Sequence, residues 1–140
     1  MNKISLSCRT GVYALTLSLL ATSVAYAHHG TAGRYENQLS EISGVVIQLM
    51  FINPHALMAV EVEDETGNRV RWMAEFNNPP LMAQEGWHKN ILQPGDRVTI
   101  KGLRLKNGGP GIRLSRGADG AQVVMTDTGE VIFTEEPPNR

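Results

Sequence analysis

The chain has 140 residues, with 13 basic and 14 acidic side chains, one cysteine and an aromatic content of 6%. So even a balance gives no electrostatic footprint for nucleic acid or for an anionic membrane surface. The lone cysteine, Cys8, cannot form an internal disulfide, and its position in the leader described next leaves the mature chain without a thiolate metal ligand.

Residues 1–27 have the layout of a cleavable signal peptide. Lys3 and Arg9 form a positive start, Gly11 to Val24 is mostly apolar, and Ala25-Tyr26-Ala27 supplies the small-x-small pattern of a cleavage site. The apolar run is too short and wrongly flanked to span a membrane. The expected product is therefore a periplasmic protein beginning at His28, with no membrane anchor. Loss of Lys3 and Arg9 leaves 11 basic against 14 acidic residues, a net charge of −3.

Residues 28–38 are polar, contain Gly30 and Gly33, and are expected to form an extended arm. "LSEISGVVIQLMFI" (39–52) is apolar and β-branched, as a long strand requires, with Gly44 as a bulge or a point of close approach. Asn53-Pro54 then enforces a bend, because proline cannot donate to a ladder. From His55 the alternation is regular: Ala56, Met58, Val60 and Val62 share one face, and His55, Leu57, Ala59, Glu61 and Glu63 the other. "DETGN" is a hairpin loop, and the return strand "RVRWMAEF" directs Val70, Trp72, Ala74 and Phe76 inward.

"NNPPLMAQEGW" predicts a short helix, with Asn78 as its N-cap, Pro79 in the first turn, Gly86 closing the end and Trp87 folding back. A Pro-Gly-Asp turn leads to "RVTIKGLRL". A Gly-rich loop leads to "IRLS", and a final hairpin turns at Asp127-Thr128-Gly129. Three strands, a short helix and then more strands predict an all-β domain over 39–134: a five- to seven-stranded OB-like Greek-key barrel with the helix between strands three and four. A β-sandwich is the alternative. Residues 135–140 are expected to be a loose tail.

The chemistry concentrates in the histidines. Cleavage after Ala27 would give His28 a free α-amine beside its own imidazole, a chelating pair suited to Cu(II). His55, behind the proline bend, is the best third nitrogen, and His29 is an alternate ligand. Glu75, on the strand that pairs with His55's, can orient an imidazole, as can Asn53. Each has a plainer reading. Asn53-Pro54-His55 can be a bend whose histidine bonds a carbonyl, and Glu75 can pair with Arg71 on the surface. His88, between Trp87 and Lys89, reads as a surface residue. Trp72 and Trp87 read as packing, and arginines 69, 71, 104 and 113 as a solvated face. Catalytic motifs such as a nucleophile elbow or a phosphate loop are absent. The expected role is copper binding or delivery, with a periplasmic protein as partner; a metal-free docking module is the competing reading.

His28-His29, Tyr35, Asn53-Pro54-His55, Trp72 with Glu75, Gly86-Trp87 and Pro94-Gly95-Asp96 together resemble a family of small exported bacterial domains of unknown function. Glu36 and Ile52 depart from its pattern. The resemblance implies no activity, but it does imply that the histidine pair and the Asn-Pro-His triplet belong to one constellation.

Overall fold

A computed structural model describes residues 33–135. The signal peptide, His28, His29, the first part of the arm and residues 136–140 of the expected tail lie outside the described residues. Seven strands and one helix run in the order β1 (Tyr35–Met50), β2 (Leu57–Glu63), β3 (Arg69–Glu75), α1 (Pro79–Gln84), β4 (Arg97–Leu105), β5 (Gly111–Arg113), β6 (Gln122–Met125) and β7 (Val131–Thr134).

The first five strands close on themselves in the order β1-β2-β3-β5-β4-β1, the order of the OB-type barrel. The length of β1 makes closure possible. Residues 35–45 pair with β4 and residues 45–50 with β2, so that Val45 is in register with both Arg97 and Glu61. β5 completes the ring by running parallel to β3 and antiparallel to β4. β6 joins β4 beside β5, and β7 pairs with β6.

The inward faces follow the alternation read from sequence. Ala56, Met58, Val60, Trp72, Ala74, Phe76, Val98 and Ile100 belong to one core cluster. Gly44 marks close approach: a Cβ there would collide with the Glu61 carbonyl oxygen and lie 2.7 Å from Val60 Cγ1. The irregularity in the β1–β2 register falls instead between Val46 and Gln48.

Asn78 Oδ1 caps α1 by accepting from the Leu81 N–H at 2.9 Å. The end closes in the paired pattern of a Schellman turn, with Gly86 at φ 88°, its N–H donating to the Ala83 carbonyl and the Trp87 N–H to that of Met82. Trp87 is thereby folded onto the barrel end, where its ring meets Phe76 at 5.3 Å and Phe133 at 5.6 Å.

Both ends of the expected domain shift. β1 begins at Tyr35, inside the segment expected to be an arm, because Tyr35 is buried and pairs with Leu105. Glu135, expected in the tail, is held by backbone bonds to Gly120 and Ala121.

Candidate functional site

Of the polar residues singled out by sequence, His55 and Glu75 meet at the C-terminal end of β3. Glu75, Phe76 and Asn77 are consecutive, and each engages a different part of the chain.

Glu75 lies on the outer face, in register with Leu57 on one side and Arg113 on the other. Its Oε2 accepts the Tyr35 hydroxyl proton at 3.1 Å, across 40 residues. This is the partner of Glu75, in place of the Arg71 pairing that sequence left open. Two cations lie near the Tyr35 ring, with Arg34 Cζ at 5.8 Å and Arg113 Cζ at 5.5 Å from its centre. Burial, followed by the charge of Glu75 and the hydrogen bond to it, raises the phenol above its ordinary 10.0. Tyr35 is therefore a protonated donor at any physiological pH, and it ties the start of β1 to the end of β3.

Phe76 turns its ring into the core and offers its carbonyl to the bend. His55 Nδ1 lies 3.2 Å from that oxygen. A carbonyl only accepts, so the bond requires the proton on Nδ1 and leaves the Nε2 lone pair free. His55 is exposed, in a bend that breaks the chain between β1 and β2. Asn53 is exposed in the same bend, and the carbonyl of Phe76, rather than Asn53 or Glu75, fixes the imidazole.

Asn77 is 6% exposed, and both polar atoms of its side chain are bonded. Its Oδ1 accepts the Arg116 N–H, and its amide nitrogen donates to Glu135 Oε2, both at 2.9 Å. Burial, with the nearby charges of Glu85 and Asp119, lifts the Glu135 carboxyl above its ordinary range against the opposing pull of the Asn77 bond.

The structure thus brings His55, Glu75 and Tyr35 to one end of the barrel; His28 and His29 lie outside the described residues. Among the described residues, no group of three or more histidine, cysteine or acidic side chains is close enough to hold a metal ion. His88 is exposed, with its Nδ1 accepting from the Asn90 N–H. The arginines are only partly a solvated face. Arg69 bonds Glu61, Arg104 covers the Trp72 ring at 4.6 Å, and Arg113 donates to Ser115 Oγ at 2.6 Å. The Tyr35–Glu75 and Asn77–Glu135 pairs escape sequence reasoning, because no local periodicity relates side chains 40 or 58 positions apart. The only sign of the first pair is that both residues belong to the motif pattern.

Residues 17–113 match the model of a family described as a family of unknown function (DUF6152), and the chain belongs to that family. The match contains all five strands that close the barrel and stops at Arg113, the last residue of β5, so the β6–β7 hairpin lies beyond it. No curated protein matches the chain.

Proposed function

We propose that this member of the family is an exported copper-binding protein of the periplasm, which holds Cu(II) through the α-amine and imidazole of a mature N-terminal His28 together with His55. His29 is an alternate ligand. The role is binding or delivery to a periplasmic partner, rather than turnover.

One observation carries the reading. The bond from His55 Nδ1 to the Phe76 carbonyl leaves Nε2 free on an exposed side chain, and metal-binding histidines are commonly oriented through their other ring nitrogen in this way. The donor chemistry fits as well, since nitrogen ligands suit Cu(II), the divalent ion at the top of the affinity order. Reach is also compatible. Tyr35 lies seven positions after His28, a reach of at most about 25 Å. Tyr35 is hydrogen-bonded to Glu75, which is in register with Leu57, two residues from His55. Glu75 accordingly acts as the anchor of the arm rather than as a direct partner of the imidazole.

The test is a Cu(II) titration of three proteins: the chain beginning at His28, the same chain with one residue added before His28, and His55→Ala. One equivalent should bind tightly to the first, with about 100-fold or greater loss in each of the others. Equal binding by the extended chain would end the proposal. A second reading, a metal-free docking module, draws on Ile52, which is 55% exposed beside the bend. It predicts no specific copper binding and loss of partner capture in Ile52→Ser.

A further inference from the structure

On the side of the barrel where β1 passes between β2 and β4 lies a groove unrelated to the histidines. Its floor is Ser43, Gly44 and Val45; Arg97 and Thr126 form one wall, and Glu61, Glu63 and Arg69 the other. Its volume of about 430 Å³ lies within the range of small-ligand sites.

Most of the polar groups have partners in the groove or at its rim. Arg69 Nη1 is 3.1 Å from Glu61 Oε1, and Arg97 Nε is 3.7 Å from Asp127 Oδ1. Ser43 Oγ lies 3.0 Å from Thr99 Oγ1, which in turn lies 3.2 Å from Thr126 Oγ1. Three hydroxyls joined by two bonds retain one unused O–H and several unused lone pairs. Each guanidinium likewise keeps most of its five donors, and the carboxylates keep acceptor positions. Donors and acceptors are thus interleaved, and the two guanidiniums lining the groove balance its two carboxylates. An anion would need donors alone, and a cation acceptors alone. Val45, 37% exposed and in register with both Glu61 and Arg97, adds an apolar surface.

We propose that this groove binds a neutral polyhydroxylated ring, a sugar unit of an oligosaccharide. Each sugar hydroxyl both donates and accepts, matching the interleaved lining, while the ring's C–H face lies on Val45. With no aromatic platform in the groove, the affinity is modest, at about the millimolar level. The site shares no residue with the proposed copper ligands, so either can fail without the other.

The experiment is a nuclear magnetic resonance titration of the whole mature chain with a neutral chitin trisaccharide, with inorganic phosphate and ammonium as charged probes. Saturable amide shifts at Gly44, Val45 and Thr126 are expected with the trisaccharide alone. Arg97→Gln and Ser43→Ala should each weaken binding by about fivefold or more, since each removes groups that bond the ligand, and Arg116→Gln, outside the groove, should not. Absence of groove shifts at about 20 mM trisaccharide overturns the proposal, as does tighter binding of either charged probe at the same amides. Unchanged affinity in both groove variants would overturn it as well.

Discussion

Phe133 sits on β7, beyond the family match, yet it is 3% exposed and closes the aromatic cluster at the barrel end. Its ring meets Phe76 edge-on at 5.4 Å and Trp87 edge-on at 5.6 Å. Phe133→Ala removes the buried ring and leaves a cavity between two rigid aromatics, which typically costs about 3–5 kcal/mol. That figure already includes the geometric preference of two aromatic pairs, about 0.5–1.5 kcal/mol each. Against the total stability of a domain this size, about 5–15 kcal/mol, the loss is large. With a urea m-value of about 2 kcal/mol/M, the midpoint should fall by about 2 M. Unfolding should be followed by tryptophan emission, which senses Trp87 directly, and by far-ultraviolet circular dichroism, which senses the whole sheet. Val131→Ala, on the same strand but 53% exposed, serves as the control and should change stability by less than about 0.5 kcal/mol. A midpoint drop below about 0.5 M would refute the reasoning. So would a shifted emission transition with an unshifted dichroism transition, because the hairpin would then be an appendage that frays alone.

Tyr35→Phe keeps the ring beside its two arginines but removes the bond to Glu75; a loss of about 1 kcal/mol is expected by chemical denaturation. Because the folded phenol ionises above 10.0, the unfolded chain loses that proton first, and wild-type stability should fall as pH rises past 10; the variant should show a shallower fall. Gly44→Ala forces β1 away from the Glu61 carbonyl and should cost about 1–3 kcal/mol, read as a lowered midpoint. For Glu135 the folded carboxyl titrates above 4.5, so the folded state binds the proton more readily and stability should rise as pH falls toward 4.5. Glu135→Gln, which retains an acceptor for Asn77, should flatten that rise in a pH series of denaturation midpoints.

The alternation of Met58, Val60, Trp72 and Ala74 was legible because a strand's two faces are set by adjacent residues. Asn78, Gly86 and Trp87 were legible for the same reason: a cap and a Schellman turn span only a few positions, and their chemistry is local. The helix between the third and fourth strands, in turn, identified the barrel class. That Tyr35 belongs to β1 and not to an arm is invisible locally, because its partners, Leu105 and Glu75, are distant in sequence. The contact of Arg104 with Trp72 is equally illegible, because nothing local in the sequence relates the two residues.

The order and facing of the strands, the bend at Pro54 and the helix ends were thus determined by the amino-acid sequence alone, through backbone rules that act over a few residues. Tertiary structure alone decided that Glu75, Phe76 and Asn77 would serve as a hub for Tyr35, His55, Arg116 and Glu135. Closing a sheet into a barrel brings strand ends together at one rim, and buried or half-buried polar groups there must find partners wherever closure puts them.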